Sequence, residues 1–371
     1  MNILYYLTAH GYGHAVRSCA ICHEFSREVQ VTFRTLIPRK FFEEEIRRPF
    51  GYFPGQFDCG CIQKDSITVN KEETLKTYMK LAMKNEAGLN DEVKWCLDQN
   101  VDGIVSDITP FAFEVAKKAS LPSIAVTNFT WYDIYEPYAK DYPAFHPSLH
   151  KIREQYQMAD LLLELIPSNG MPYFRNRLRV PLVGRTGQGV RDRLKNKLGL
   201  AREKQIGLIY VGEFGMGNIP WRNLEKFKDW DFIGIYPLPG EPANYHRVNK
   251  EDFLYQDLVA SAEVMISKIG YGVFSECQLN GTPLIYLSRE DFAEYPVLEK
   301  AIIAWGHGFC LSREDYFSLN WEKALAEVVE RQRPKPQSSD GPRICAREIE
   351  KVVRRGRPAS PLAAGQFRRR G

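Results

Sequence analysis

The stretch NILYYLTAHGYGHAVRS, residues 2–18, begins with an apolar run, passes through a turn with two glycines and two histidines, and continues as a helix-like segment. A short apolar run that stops at a glycine-rich turn is typical of a buried strand in a parallel sheet. Glycine permits a tight turn and a close approach of the backbone to a ligand. Because ligands collect at the carboxyl ends of the strands in a doubly wound sheet, we expect the loop of residues 9–14 to face a ligand crevice.

The same alternation of strands and helices extends over most of the chain. Strand-like runs such as VQVTFRTL (29–36) and PSIAVTNF (122–129) are separated by helix-like segments, which is the pattern of a parallel sheet with crossover helices. After a polar, proline-bearing middle, a second series starts with QIGLIYVG (205–212) and ends with TPLIYLS (282–288). The sequence therefore predicts an α/β protein with two successive Rossmann-like, doubly wound domains.

Loss of periodicity marks the predicted boundaries. The stretch LLELIPSNGMPYFRN (162–176) has no regular pattern, so we assign residues 1–172 to the first domain and residues 173–335 to the second. A linker rich in proline, serine and charge precedes a predicted C-terminal helix at residues 342–354. The basic tail, residues 355–371, is predicted to be disordered.

Composition limits the class of protein and its partners. The 371 residues are 44% hydrophobic, enough for a large core, and 50 Lys and Arg against 46 Asp and Glu give no broad basic field for nucleic acid. Eight scattered cysteines without zinc-site spacing, and a start without signal-peptide features, predict a reduced, cytoplasmic protein. No apolar stretch reaches the length of about 18 residues that a membrane span needs. We expect no metal site, no nucleic-acid partner and no membrane span.

Two residues of the first half suit acid–base chemistry. His14 opens the helix after the first strand, and Asp107 ends a later buried strand. A carboxylate at that place can accept the Nδ1 proton of a histidine, fix its tautomer and strengthen it as a general base. Two alternatives stay open at this point: a glycine turn whose histidine only caps or packs, and an aspartate that caps the helix starting near residue 109.

Two glycine-rich loops of the second half each follow a strand. They are VGEFGMGN (211–218) and SKIGYGVFSE (267–276), and parallel strands bring such loops to one crevice. Backbone amides in these loops and in the next helical turn bind phosphate without a lysine. Glu276 comes one turn into the helix that follows the second loop, where a carboxylate can accept hydrogen bonds from ribose hydroxyls. The alternative is that Glu276 is only an acidic residue of the first helical turn, favoured there by the helix dipole.

The motif AHGYGH (9–14) resembles the first-loop histidine motif of GT-B glycosyltransferases. The stretch SKIGYGVFSECQLNGTPLIYLSREDFAEYP (267–296) resembles their C-terminal nucleotide-sugar motif. The pattern is similar to that of MurG-like N-acetylglucosaminyltransferases and of the glycosyltransferase-like N-terminal half of plant arabinokinases, from about Asn2 to Val329. The resemblance implies a GT-B fold, in which an acceptor-side domain (1–172) and a nucleotide-sugar-binding domain (173–335) face a cleft.

The resemblance also implies the reaction and its residues. It implies an inverting, metal-independent transferase without a cofactor, which moves a sugar from a nucleotide-diphosphate sugar, foremost a UDP-sugar, to an acceptor hydroxyl. His14 matches the general base and Asp107 the residue that orients it. The implied donor-binding residues are Gly212, Glu213, Gly215, Gly217, Phe253, Lys268, Gly270, Gly272, Ser275, Glu276, Arg289 and Glu294. The acceptor-side residues are His10, Gly11, Gly13 and Trp131.

Other functions remain open at the level of sequence. One is a non-catalytic nucleotide-sugar-binding protein, and another is a nucleotide-sugar epimerase of GT-B fold. The aromatic stretch NFTWYDIYEPY (128–138) either lines an acceptor pocket or is a packed loop. RRPFGYFPGQF (47–57) and the basic tail make peripheral contact with a membrane an additional expectation. The sequence does not indicate the donor sugar, the acceptor or the oligomeric state.

Overall fold

The computed structural model describes residues 1–64, 68–210, 219–288 and 291–356. Its first sheet has seven parallel strands in the order β3-β2-β1-β4-β5-β6-β7. These strands are β1 Asn2–Leu7, β2 Gln30–Arg34, β3 Phe50–Phe53, β4 Gly103–Asp107, β5 Ser123–Thr127, β6 Leu161–Leu165 and β7 Arg177–Val180. The helices between them are α1 Tyr12–His23, α2 Arg39–Glu45, α3 Lys71–Asp98, α4 Phe111–Ala119, α5 Trp131–Ala139 and α6 His146–Gln157, with a 3₁₀ turn at Pro143–Phe145.

The second sheet has six parallel strands in the order β10-β9-β8-β11-β12-β13. These strands are β8 Gln205–Tyr210, β9 Trp230–Gly234, β10 Tyr245–Arg247, β11 Val264–Lys268, β12 Leu284–Leu287 and β13 Gly308–Leu311. The helices of this half are α7 Arg191–Leu198, α8 Tyr255–Ser261, α9 Tyr271–Asn280, α10 Tyr295–Trp305, α11 Arg313–Ser318 and α12 Glu322–Glu330, with a 3₁₀ turn at Trp221–Lys226. Two parallel sheets with interleaved helices confirm the predicted α/β class with two Rossmann-like domains.

Central strands of both sheets are buried on both faces because helices cover each side. All five residues of β4 and of β5 are buried, which is why these strands read as continuous apolar runs rather than alternating patterns. The strand β7 is different, since three of its four residues are exposed and it lies at the sheet edge. Although it follows residue 172, β7 pairs with β6 and belongs to the first sheet.

Local capping fixes where several helices begin and end. The side chain of Asn70 accepts a bond from the backbone of Glu73 at the start of α3. A reciprocal capping box between Thr130 and Asp133 starts α5 directly after β5. Gly281 ends α9 in the left-handed conformation that glycine adopts without strain. The caps at Asn70 and Thr130 lie in loops that follow strands, whereas Gly281 lies in the loop that leads into β12.

The last described helix, α13 (Gly341–Gly356), overlaps the helix predicted at residues 342–354 but packs on the first sheet. Its Val353 side chain lies against Gly103 of β4, and Glu350 accepts a bond of 2.8 Å from the backbone of Ser26. The chain therefore returns from the second domain to the first. None of the helices in the described part of the chain is long and apolar enough to cross a membrane.

Candidate active site

The predicted base and its partner meet at the carboxyl edge of the first sheet. Leu7 of β1 lies opposite Asp107 of β4, so the loop after β1 and the end of β4 are neighbours. Nδ1 of His14, in the first turn of α1, lies 2.8 Å from Oδ1 of Asp107. Pro110 occupies the N-cap position of α4, so the alternative of Asp107 as that cap is wrong. Both side chains are buried, and the histidine is 8% exposed.

Asp107 is kept ionised by a residue that the sequence reading missed. Nε of Arg17 donates to Oδ2 of Asp107 at 2.6 Å, and Nη2 donates to Oδ1 at 2.5 Å. Ser18 adds a hydroxyl bond of 3.2 Å. Burial raises the pKa of Asp107, but the charges and hydrogen bonds of Arg17 and His14 outweigh it, so the pKa lies below its usual range. Arg17 is three residues beyond His14 on α1, a spacing that puts both on one helix face.

Polar contacts continue from Arg17 into the second domain. Nη1 of Arg17 donates to Oδ1 of Asn128 at 2.7 Å, and Nδ2 of Asn128 donates to Oε1 of Glu294 at 2.7 Å. Glu294, one of the predicted donor-binding residues, is the N-cap residue of α10. In the structure, this carboxylate bonds to the first domain across the cleft.

The rest of that loop also contacts the first domain. Tyr138 donates to the backbone oxygen of Asp291 at 2.5 Å, and Lys71 forms an ion pair with its carboxylate at 3.0 Å. The ring of Phe292 stacks near His10, with centroids 6.4 Å apart, and packs edge-on against Phe129. Residues 291–294 thus belong to the second domain by sequence and contact the first domain, and we call them the docked segment.

The predicted acceptor-side residues fall into two groups. Gly11 has a φ of +84°, which requires glycine, whereas a β-carbon on Gly13 would meet no atom within 4 Å. His10 accepts a bond from the backbone of Cys61 through Nδ1 and meets Trp131 edge-on. Trp131 is fully buried and stacks on Tyr135 within α5, so residues 131–138 form a packed helix rather than a packed loop, and the role of Trp131 at an acceptor stays a prediction.

Several of the donor-binding predictions meet at the start of α9. Gly270 is the N-cap of this helix, and a β-carbon on Gly272 would lie 3.6 Å from the α-carbon of Gly13, so the loops of the two domains approach closely. The hydroxyl of Ser275 donates back to the carbonyl of Gly272 at 3.1 Å. Lys268 ends β11, immediately before this loop.

Glu276 lies in a buried ion pair. Its carboxylate accepts bonds from Nε and Nη2 of Arg185 at 2.6 and 3.3 Å, and Arg185 also bonds Glu45 of α2 at 2.7 Å. The role of Glu276 at a ribose stays a prediction. The side chain of Phe253 is buried, with the guanidinium of Arg193 over its ring at 4.6 Å. Five predicted donor-binding residues lie outside the described residues: Gly212, Glu213, Gly215, Gly217 and Arg289.

Asp58 is another buried carboxylate that the sequence analysis missed. Asp58 accepts bonds from the hydroxyls of Thr8 and Thr109 at 2.6 and 2.5 Å, and these threonines follow β1 and β4. Burial raises the pKa of Asp58, and the threonine bonds only partly offset it. In the described part of the chain, no group of three or more His, Cys, Asp or Glu side chains is placed to hold a metal ion.

Known proteins resemble this chain in sequence and in fold. L-arabinokinase from Arabidopsis thaliana is 30% identical over 333 residues, or 88% of this chain and 32% of that protein. The chain therefore spans about a third of the length of the curated relative that it matches. No family model matches it.

Solved structures extend the likeness to the whole fold. The glycotransferase of kitacinnamycin has a TM-score of 0.60 at 14% identity and covers 96% of this chain and 97% of its own. UGT89C1 from Arabidopsis thaliana, solved with quercetin, has a TM-score of 0.58 at 12% identity, with 98% and 96% covered. The same enzyme solved with UDP has a TM-score of 0.53. These likenesses confirm the predicted GT-B glycosyltransferase fold.

Proposed function

We propose that the chain is an inverting, metal-independent glycosyltransferase that moves a sugar from a nucleotide-diphosphate sugar to an acceptor hydroxyl. The observation that carries the proposal is the buried pair of His14 and Asp107, 2.8 Å apart, at the carboxyl edge of a Rossmann-like sheet in a GT-B fold. Edges of this kind are where doubly wound sheets bind their ligands. The arabinokinase relative acts on a sugar by its name, and a neighbour in fold was solved with UDP, so a UDP-sugar is the donor that we favour.

The proposed mechanism uses one proton and one leaving group. Nε2 of His14 takes the proton of the acceptor hydroxyl while the oxygen attacks the anomeric carbon from the face opposite the diphosphate. The bond from the anomeric carbon to the diphosphate oxygen breaks, its electron pair leaves with the diphosphate, and the configuration inverts. Asp107 stabilises the imidazolium that forms.

Backbone groups at the second glycine loop complement this step. The first turn of α9 presents amides that begin at Gly270, and the positive end of the helix dipole lies there. Such amides offset the charge that grows on the leaving diphosphate. The approach of Gly272 to Gly13 supports a closed arrangement in which base and donor share one water-poor cleft.

The proposal is tested by binding and by turnover. Isothermal titration with UDP, GDP and dTDP identifies the nucleotide, and hydrolysis of the matching nucleotide sugars is then measured in wild type and in His14→Ala. We expect one nucleotide to bind and His14→Ala to lose about 10²–10⁴-fold in rate, the usual contribution of a general base. His150→Ala, at an exposed position on α6, is the matched control.

Three results would contradict the proposal. Absence of binding to any of the three nucleotides would exclude a nucleotide-sugar site. Binding with turnover that His14→Ala leaves unchanged would exclude His14 as the base. Binding without any turnover would favour the alternative of a non-catalytic nucleotide-sugar-binding protein.

A further inference from the structure

A line of buried polar contacts leads from the base region to the donor-side domain. Arg17, Asn128 and Glu294 are joined by two hydrogen bonds of 2.7 Å, and each of the three side chains is at most 7% exposed. Glu294 belongs to the docked segment, residues 291–294, of the second domain. The line therefore runs from one domain to the other without passing through solvent.

The donor side touches Arg17 at a second point. The guanidinium carbon lies 5.4 Å from the ring centroid of Tyr271, the first residue of α9. A cation held over an aromatic face is stabilised by the negative potential of the ring. The guanidinium of Arg17 thus contacts Asp107 and Asn128 of the first domain and Tyr271 of the second. Its orientation therefore depends on both domains.

The orientation of Arg17 determines which bond His14 can make. Nδ1 of His14 lies 2.8 Å from Oδ1 of Asp107 and 2.9 Å from Nη2 of Arg17. One ring nitrogen either donates a proton to the carboxylate or accepts a hydrogen bond from the guanidinium, and it cannot do both. Only donation to the carboxylate leaves Nε2 of the neutral ring without a proton and able to receive one.

We propose that Arg17, Asn128 and Glu294 are positioning residues that hold His14 in the tautomer protonated at Nδ1; this role rests on the proposed function of His14 as the base. Glu294 fixes the amide of Asn128, whose oxygen anchors Nη1 of Arg17 and keeps Nη2 directed at Asp107. Without Glu294, the amide loses its acceptor and Arg17 turns towards Nδ1 of His14. His14 can then accept a proton at Nε2 only while the docked segment is in contact with the first domain.

The experiment reads the tautomer and requires no substrate. The full chain is labelled with ¹⁵N in histidine, and two-bond ¹H–¹⁵N spectra of the neutral ring show which nitrogen carries the proton. His14→Gln assigns the signals of His14 by their loss. Glu294→Ala removes the acceptor, whereas Glu294→Gln retains a side-chain oxygen for Asn128.

Two further variants complete the set. Lys71→Met is the matched control, because it breaks a different contact of the docked segment, the 3.0 Å ion pair with Asp291. Arg17→Lys keeps the charge but loses the fork that joins Asp107 to Asn128. Thermal melts establish that each variant is folded, and Arg17→Lys serves as the test variant should Glu294→Ala fail to fold.

We expect wild type, Glu294→Gln and Lys71→Met to carry the proton on Nδ1. Loss of one hydrogen bond shifts an equilibrium by about fivefold, so Glu294→Ala should move the tautomer ratio towards Nε2 by about that factor. An unchanged ratio in Glu294→Ala, an equal shift in Lys71→Met, or a wild-type ring protonated at Nε2 would overturn the proposal. The expected shifts in a protein that turns over no nucleotide sugar would support the coupling and contradict only the proposed function.

Discussion

Replacement of Asp107 by asparagine is expected to destabilise the protein by removing the charge that compensates a buried cation. Arg17 is 2% exposed and donates two bonds to Asp107, at 2.5 and 2.6 Å. Removal of one partner from a buried ion pair costs about 3–5 kcal/mol, because the other charge stays buried without compensation. Asparagine keeps one acceptor oxygen, so we expect the lower end, about 3 kcal/mol.

A double-mutant cycle separates the pair from its surroundings. Urea unfolding, followed by tryptophan fluorescence and far-ultraviolet circular dichroism, gives the free energy of unfolding for wild type, Asp107→Asn, Arg17→Met and the double variant. We expect the double variant to lose about 1–3 kcal/mol less than the sum of the single losses, since neither charge is then left unpaired. Losses that add up, or a loss below about 1 kcal/mol in Asp107→Asn, would refute the ion-pair argument.

The same variant gives a pH dependence of known sign. The pKa of Asp107 is lower in the folded chain than in the unfolded chain. The stability that the ionised Asp107 gives to the fold is therefore present above the unfolded pKa of about 3.9 and is lost as the pH falls through the folded pKa. The stability difference between wild type and Asp107→Asn should therefore narrow as the pH is lowered below about 4. A difference that widens on acidification would contradict this assignment.

Two further predictions concern stability. Burial raises the pKa of Asp58 in the folded chain, so the stability that this carboxyl group contributes is present below its unfolded pKa and is lost as the pH rises through its folded pKa. Asp58→Asn should therefore gain stability relative to wild type as the pH is raised from about 4 to 7. Urea unfolding at several pH values would contradict this if the stability difference between the two proteins stayed constant. A β-carbon on Gly187 would lie 2.0 Å from the backbone oxygen of Gln256, so Gly187→Ala should cost about 1–3 kcal/mol in the same assay. Gly189→Ala is the control, because no atom lies within 4 Å of the carbon that it adds. It should change the free energy of unfolding by no more than about 0.5 kcal/mol. Equal effects of the two substitutions would contradict the steric argument.

The pair of His14 and Asp107 could be predicted because Asp107 ends one buried strand and His14 lies in the first turn of the helix that follows another. Parallel strands place their carboxyl ends at one edge, so residues in those positions converge whatever the intervening sequence. Arg17 could not be assigned in the same way, since its partners lie 90 and 111 residues away and only the assembled sheet brings them together. Its spacing from His14 was the only local signal.

Features that depend on how the domains pack were beyond local sequence reasoning. Glu294 is predicted to bind the donor, but the direction of its side chain depends on the position of Asn128 in the other domain. The strand β7 was missed for another reason: in its short sequence RLRV arginines alternate with apolar residues, and three of the four residues are exposed at a sheet edge. Edge strands lack the apolar run by which the central strands are identified.

The return of the chain to the first domain has a mechanical consequence. The two passages between the domains, after β7 and before α13, touch each other: the hydroxyl of Ser339 donates to the backbone oxygen of Leu182 at 2.5 Å. At Gly341, a β-carbon would lie 2.2 Å from that same oxygen. Two covalent connections that meet at one place act as a single hinge, so opening of the cleft must pivot there and bend both connections together. A side chain at position 341 would force the connections apart and shift the axis of that rotation.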